Sequence, residues 1–139
     1  MDSTLDWLVL CSVILFAKMF AISLYQGWHR IGRGSFRNVE DAKFAKRTPV
    51  AEELPEVQRA ARAWANDLEN IPVFFALGIL YVMTGASAAA APWLFGTFTV
   101  ARIGHTFCYL NQLQPWRTLS FGIGIGCLIG MSALLLRGL

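Results

Sequence analysis

The stretch of sequence over residues 70–101, NIPVFFALGILYVMTGASAAAAPWLFGTFTVA, contains no Asp, Glu, Lys or Arg. A second uncharged stretch runs from Thr118 to Leu136. A helix that crosses a bilayer needs about 18 or more mostly apolar residues. The chain of 139 residues is 55% apolar and only 15% charged, whereas soluble domains average about 25% charged residues. These patterns predict an integral membrane protein and exclude a soluble enzyme fold.

The apolar runs predict one all-α domain over residues 1–139, built as a bundle of four membrane-spanning helices. The predicted spans cover about residues 7–28, 56–83, 92–110 and 118–136. Pro55 followed by Glu56 is typical of a helix start, and Thr84-Gly85 is typical of a helix end. The polar connection from His29 to Leu54 is expected to be a loop.

Two features inside the predicted spans are expected to serve packing. Lys18 lies near the middle of the first span, where a charge is costly unless it faces the bundle interior or reaches the membrane surface. Gly122, Gly126 and Gly130 recur at four-residue intervals in the fourth span. Such a stripe of small residues allows another helix to approach closely.

The distribution of positive charge predicts the orientation of the chain. Residues 29–70 hold eight of the twelve Lys and Arg residues, and residues 84–91 hold none. By the positive-inside rule, the first and third connections are expected in the cytoplasm and both termini, with Asp2, outside. No basic residue precedes the first apolar run, so it is not typical of a signal peptide, and we expect it to be retained. The host membrane stays open between the endoplasmic reticulum and a bacterial inner membrane.

Charge and cysteine content argue against other classes of protein. The net charge is +3, but seven acidic residues lie among the eight basic ones of residues 29–70. No unopposed basic stripe is therefore available for nucleic acid. Cys11, Cys108 and Cys127 all lie in apolar runs without CxxC spacing, and the chain has two His residues. Neither a disulfide framework nor a metal site is expected.

Polar side chains follow one face of each of the second and third spans. On the second helix they are Arg59, Arg62, Asn66 and Glu69. On the third helix they are Arg102, His105 and Tyr109. Spacings of three and four residues place such side chains on one helical face, and that face must meet protein or a water-lined cavity rather than lipid. A structural ion-pair network, such as one between Glu69 and Arg102, is the alternative to a ligand site.

Several cationic and polar residues fall at the cytoplasmic ends of the predicted helices. They are Arg30, Arg62, Tyr109 and Arg117. Guanidinium groups bind carboxylates through paired hydrogen bonds. Convergence of these side chains would form a site for a small anion with several carboxylates, next to lipid from which an apolar partner could enter. The pattern does not name the ligand.

Four motifs resemble, in order along the chain, those of the MAPEG family of membrane proteins, which handle eicosanoids and glutathione. They are FRNVED (36–41), VQRAARAWANDLENI (57–71), RIGHTFCYL (102–110) and QPWRTLSF (114–121). The resemblance covers about residues 30–139. It is closest to the microsomal glutathione transferase branch of the family, and the prostaglandin E synthase branch comes next.

The resemblance implies a homotrimer of four-helix subunits that binds glutathione between subunits, near the cytoplasmic face. It also implies transfer of glutathione, as co-substrate, to lipophilic electrophiles from the lipid phase, and often peroxidase activity. Seven residues then match glutathione-binding positions: Arg30, Arg62, Asn66, Glu69, Arg102, His105 and Tyr109. Arg117 matches the arginine that stabilises the thiolate, and Asp41 matches an aspartate proposed to assist catalysis.

Two other functions stay open. One is a glutathione-dependent isomerase of the prostaglandin E synthase type, and the other is a non-enzymatic, lipid-binding scaffold. Ala65, Thr118 and Phe121 stand where the synthase branch has Arg, Ser and Tyr, which weakens the isomerase interpretation. A scaffold has no use for a thiolate site, so retention of the site residues weighs against it. For Arg117, the alternative to a catalytic role is anchoring of the fourth helix at the lipid headgroups.

Overall fold

The computed structural model describes residues 3–138, which form five α-helices. They are α1 (Thr4–Arg33), α2 (Val39–Phe44), α3 (Pro55–Met83), α4 (Ala91–Leu110) and α5 (Trp116–Arg137). The predicted all-α class is confirmed. Four of the helices are long, and each of them contains one of the runs predicted as spans, whereas α2 is a single short helix between α1 and α3. Asp2 and its expected location lie outside the described residues.

The prediction of a loop over residues 29–54 is wrong at two places. The first helix continues to Arg33, and Gly34 ends it with a φ of 57°. The positive charges of Arg30 and Arg33 stabilise its last turn, because they lie at the negative end of the helix dipole. The short helix α2 then forms with Glu40 and Asp41 in its first turn. Acidic side chains are stabilising there, because they lie at the positive end of the helix dipole.

The two helix ends expected for the second span are observed. Helix α3 begins at Pro55 and ends at Met83, with Thr84 as its C-terminal cap. Pro at the first helical position suits a helix start, because its missing N–H has no partner there in any case. Pro72 lies inside α3.

The core of the bundle lies where α3 and α4 meet each other and the flanking helices α1 and α5. Phe74 of α3 stacks on Phe98 of α4 with ring centroids 4.5 Å apart, and it meets Phe95 edge-on at 5.6 Å. Leu15 of α1 and Met131 of α5 are completely buried around these rings. This packing fixes the relative positions of the helices that carry the candidate site residues.

Of the three glycines in the predicted stripe of α5, Gly130 packs against another helix of the same subunit. An added Cβ at Gly122 or Gly126 would meet nothing within 4 Å, so these two positions bring no helix of the same subunit close. A Cβ added at Gly130 would lie 3.1 Å from Leu94 Cδ2 of α4, so this glycine allows a close approach of that side chain. Gly124, outside the predicted stripe, is the glycine against which Arg102 of α4 packs, because an added Cβ would lie 3.7 Å from Arg102 Cδ.

The outer surface of the bundle is apolar over much of its area. Helices α1 and α5 are long and apolar enough to cross a membrane, judged by length and composition alone. Large apolar side chains are exposed on all five helices, and examples are Phe16 of α1 (68% exposed), Trp93 of α4 (77%) and Ile129 of α5 (64%). Apolar surface of this kind requires a cover of lipid or protein. The two apolar helices and the apolar outer surface agree with the predicted location in a membrane.

Candidate active site

Polar contacts and one short connection bring four helix ends together at one end of the bundle. Arg30, near the end of α1, donates from Nε and Nη2 to Glu53 Oε2 at 3.0 and 2.7 Å, just before α3 begins. Arg59 Nη1, in the second turn of α3, donates to the backbone oxygen of Leu110 at the end of α4, at 3.3 Å. Helix α5 starts six residues later, at Trp116. The ends of α1 and α4 therefore lie beside the starts of α3 and α5.

A cavity of about 590 Å³ opens at this end of the bundle. Three arginines line it: Arg30, Arg37 and Arg62. Glu52, Glu53 and Gln58 supply most of the remaining polar lining. Gln58 Nε2 donates to the backbone oxygen of Glu53 at 2.9 Å and so fixes this part of the wall. Guanidinium groups around an open cavity suit a ligand with more than one carboxylate.

Glu53 partly neutralises this cavity. Its Oε2 accepts both hydrogen bonds from Arg30, while its Oε1 is buried and has no partner among the described residues. Arg62 is exposed and Arg30 is half-buried. The cationic groups therefore remain accessible from the cavity, although Arg30 is already engaged by a carboxylate.

A second group of side chains surrounds Arg117 in the first turn of α5. The guanidinium carbon of Arg117 lies 4.7 Å from the centroid of the Tyr109 ring, within the range of a cation–π interaction. In the amide orientation that satisfies its neighbours, Gln114 accepts hydrogen bonds from Arg117 Nε and Nη2 at 3.1 and 2.6 Å. The His105 ring meets Tyr109 edge-on at 5.7 Å. Arg117 is thus held in place by contacts from α4 and from the turn before α5.

A buried ionic network lies deeper in the bundle and joins α1, α3 and α4. Arg102 donates to Asp67 Oδ1 from Nε and Nη2 at 3.2 and 2.6 Å, and Lys18 donates to Asp67 Oδ2. The side chains of Arg102, Asp67 and Lys18 are 1%, 0% and 9% exposed. Of the two environments that the sequence left open for Lys18, the structure shows the bundle interior. The alternative pairing of Glu69 with Arg102 is wrong, because Asp67 occupies that guanidinium and Glu69 is exposed.

The predicted site residues therefore fall into separate groups within one subunit. Arg30 and Arg62 line the cavity, which neither Tyr109 nor Arg117 lines. His105 is buried between the Tyr109 and Phe121 rings, and Arg102 belongs to the ionic network. Asn66 is half-buried on α3 and Glu69 is exposed. Asp41 is exposed on α2, where it accepts a hydrogen bond from Asn38 Nδ2 at 3.1 Å.

Three residues at or beside these groups were missed by sequence reasoning. They are Glu53, Asp67 and Gln114. A signal for Asp67 exists, since it lies three or four residues from Ala63 and Asn70 on the face of α3 that carries the core residues. An acid on a core face requires a cation, and Lys18 and Arg102 are the basic residues of the first and third apolar runs. Glu53 and Gln114 lie in connections, where spacing carries no comparable signal.

The fold and these groups define an all-helical membrane protein with a cationic site at one end of its bundle. The profile of the MAPEG family matches residues 8–137, so the chain belongs to the MAPEG family. It is 38% identical to microsomal glutathione S-transferase 1 of Homo sapiens over 131 residues, which cover 91% of this chain and 84% of the relative. The identity is 39% to the Rattus norvegicus protein of the same name, with the same coverage.

The chain is also similar to a second kind of MAPEG protein. It is 34% identical to prostaglandin E synthase of Homo sapiens over 114 residues, covering 81% of this chain and 75% of that protein. The resemblance to the MAPEG family inferred from the four motifs is therefore confirmed, as is the order of the two branches.

Proposed function

We propose that this protein is a membrane-bound glutathione transferase that joins the glutathione thiolate to lipophilic electrophiles. The observation that carries the proposal is the fixed position of Arg117, held over Tyr109 and by Gln114 at the start of α5. The similarity to microsomal glutathione S-transferase 1 over 91% of the chain supports it. The cationic cavity beside this end of the bundle supports binding of a ligand with two carboxylates, as glutathione has.

The proposed chemistry requires the thiolate form of glutathione. A free thiol has a pKa of about 8.5, so only a few per cent is ionised at neutral pH. A guanidinium within hydrogen-bond reach of sulfur favours the charged form and lowers this pKa. The thiol proton leaves to solvent, the sulfur forms a bond to the electrophilic carbon, and the leaving group departs with the electron pair of the broken bond. Arg117 therefore serves as the catalytic residue, without a general base.

We infer that the complete site lies between subunits of a homotrimer. Arg62 and Glu69 are exposed on one side of α3, and Asn66 lies between them. Charged side chains on a membrane helix need protein or water rather than lipid around them. A neighbouring subunit that covers this face would bring its own Arg117 and Tyr109 towards the Arg62 side. The trimeric number itself comes from the family resemblance.

In this assembly, the remaining predicted residues have supporting positions. Arg30 and Arg62 bind the carboxylates of glutathione from the cavity wall, and Glu69 and Asn66 complete the contacts on the exposed face of α3. His105 packs against the Tyr109 ring and keeps it under Arg117. Asp41 assists from α2, where it lines a small cleft together with Arg30 and Glu53. The electrophile enters from the lipid phase.

The protein is proposed to be multi-pass, with the active site facing the cytoplasm. The eight basic residues of residues 29–70 support this orientation. The described structure adds that six of the eight precede α3 and that Arg59 and Arg62 lie in its first two turns. All eight are therefore at the end of the bundle that carries the cavity.

The experiment that tests the transferase is conjugation of glutathione to a chlorinated dinitrobenzene by purified, detergent-solubilised protein. We expect release of chloride and formation of the thioether at a rate well above the uncatalysed reaction. The matched control is the Arg117→Ala variant, which should lose most of that rate. A wild-type rate no higher than that without protein would contradict the proposal.

The similarity to prostaglandin E synthase makes an isomerase the second candidate. Incubation with a prostaglandin endoperoxide in the presence of glutathione separates the two activities, because an isomerase returns glutathione unchanged whereas a transferase consumes it. Equilibrium dialysis tests the remaining alternative. If the protein binds no glutathione, a lipid-binding scaffold is favoured over both enzymes.

A further inference from the structure

Asn66 contacts the buried ionic network and also borders the exposed face of α3. Its Oδ1 accepts a hydrogen bond from Arg102 Nη2 at 2.7 Å. The same nitrogen donates its other hydrogen to Asp67 Oδ1 at 2.6 Å. Asn66 is half-buried, and its neighbours one turn away on the same face, Arg62 and Glu69, are exposed.

This contact decides which end of the Asn66 amide is free. An amide has one acceptor oxygen and two N–H donors, and a guanidinium has donors alone. The reversed amide would place N–H against N–H beside a full positive charge, so the orientation with oxygen towards Arg102 is fixed electrostatically. Asn66 Nδ2 has no acceptor among residues 3–138. The side chain therefore offers donors to a ligand on the exposed face.

The network also explains why Arg102 stays in this position. Asp67 engages two nitrogens of the guanidinium through a single oxygen, Oδ1, and Lys18 occupies the other carboxylate oxygen. With both oxygens used, Asp67 has no freedom to turn and draw Arg102 away from Asn66. A buried ion pair is stable only when its remaining donors and acceptors are also satisfied, and the Asn66 oxygen satisfies one of them.

We propose that Arg102 is a positioning residue that holds Asn66 as a hydrogen-bond donor towards glutathione, with Asp67 and Lys18 holding Arg102 in turn. The inference rests on the proposed glutathione site. In this proposal Asn66 Nδ2 donates a hydrogen bond to an oxygen of glutathione, from a carboxylate or a peptide carbonyl. Arg102 and Lys18 act without contacting the ligand. Arg102 is 1% exposed, which agrees with action through a neighbour rather than on the ligand itself.

A double-mutant cycle on glutathione binding tests this coupling. The variants are Asn66→Ala, Arg102→Lys and their combination, and the probe is reduced glutathione in equilibrium dialysis with detergent-solubilised protein. Lysine keeps the charge opposite Asp67, but it lacks the planar fork that reaches Asp67 and Asn66 together. We expect each single variant to raise the dissociation constant about tenfold, because each loses one hydrogen bond to the ligand.

The double variant should bind no more weakly than Asn66→Ala alone, because Arg102 acts through Asn66. A residue with a merely structural role would lower affinity by the same factor in both backgrounds, so a loss of about a hundredfold in the double variant would overturn the proposal. If wild-type protein binds no glutathione, the proposed function fails and this inference fails with it. If the wild-type protein binds glutathione but the effects of the two substitutions on affinity are additive, this inference fails and the proposed function stands.

A second variant keeps the test decisive if Arg102→Lys does not fold. Asn66→Asp retains an oxygen for Arg102, so the network stays satisfied, but the side chain has lost both N–H donors. We expect its affinity for glutathione to fall at least tenfold while its thermal unfolding in detergent stays close to that of wild type. Undiminished affinity in Asn66→Asp would overturn the donor role.

Discussion

Asp67 and Glu69 lie two residues apart on α3, but they face different environments. Asp67 is completely buried between Lys18 and Arg102, whereas Glu69 is exposed on the surface of the subunit. Two residues of a helix differ by about 200° around its axis, so adjacent acids of this kind point in nearly opposite directions. The two carboxylates should therefore respond differently to the same substitution.

We predict that Asp67→Asn strongly destabilises the protein. The substitution leaves Lys18 and Arg102 as neighbouring buried cations without a counter-charge, and removal of one partner from a buried ion pair costs about 3–5 kcal/mol. Thermal unfolding of detergent-solubilised protein, followed by loss of helical circular dichroism, measures the effect. We expect a clearly lowered midpoint and a smaller yield of monodisperse protein.

Glu69→Gln is the matched control, since it removes the same charge from the same helix. It should unfold close to the wild-type temperature while glutathione binding weakens. Equal destabilisation by the two substitutions would show that the buried network does not depend on Asp67.

We also predict that Glu53→Gln strengthens glutathione binding. In the free protein Glu53 engages Arg30 at 2.7 Å, and an incoming carboxylate must compete with it. Ion pairs that are partly open to solvent contribute about 0.2–1 kcal/mol, so release of Arg30 should lower the dissociation constant by up to about fivefold. The gain should shrink at high salt, because screening weakens the added attraction. Equilibrium dialysis at two ionic strengths measures both effects.

The control for this prediction is Glu56→Gln. Glu56 pairs with Arg33 at 2.9 Å, and neither residue lines the cavity. Its affinity for glutathione should match that of wild type. Weaker binding by Glu53→Gln would mean that Glu53 contributes to the ligand site instead of competing with the ligand.

The sequence predicted the long helices because each depends on a local pattern. Uncharged runs mark the second half of α3, the first half of α4 and most of α5, and Pro55 and Met83 bound α3 as expected from turn chemistry. Helix α2 could not be predicted in this way. It has six residues, too few to show an apolar period, and its one buried side chain is Ala42.

The candidate site was predictable in residue type but only partly in arrangement. Spacing along α3 grouped Arg62, Asn66 and Glu69 correctly on one side, because helical geometry fixes that relation. Partners across helices depend on how the helices pack, so the pairing of Arg102 with Asp67, instead of Glu69, became clear from the structure. The support of Arg117 by Gln114 likewise depends on the shape of the turn between α4 and α5.

The orientation of the chain is testable with single cysteines. The native cysteines Cys11, Cys108 and Cys127 are buried, so new exposed ones can be labelled against a low background. We predict that Glu40→Cys on α2 reacts with a membrane-impermeant maleimide only after cells are permeabilised, whereas Ala88→Cys, between α3 and α4, reacts in intact cells. Both native positions are exposed in the structure. Labelling of Glu40→Cys from outside would reverse the proposed topology.

The sharpest prediction concerns Arg117, where chemistry and binding should separate. If its guanidinium holds the thiolate, Arg117→Ala should lower the conjugation rate far more than glutathione affinity, because Arg30 and Arg62 still bind the carboxylates. The pKa of the bound thiol should rise towards about 8.5, and each unit of that rise corresponds to about 1.4 kcal/mol. Raising the pH should therefore restore part of the lost rate.

Two further substitutions separate this role from simple anchoring of α5 at the membrane surface. Arg117→Lys keeps a cation for the headgroups but loses the planar fork, so it should restore anchoring without restoring the thiolate. Gln114→Leu removes hydrogen bonds at 3.1 and 2.6 Å that hold Arg117, and it should give an intermediate rate. Thiolate absorbance at saturating glutathione and neutral pH reads the chemistry directly. Since an anchor has no effect on the ionisation of a bound thiol, an undiminished signal in Arg117→Ala would eliminate the catalytic role.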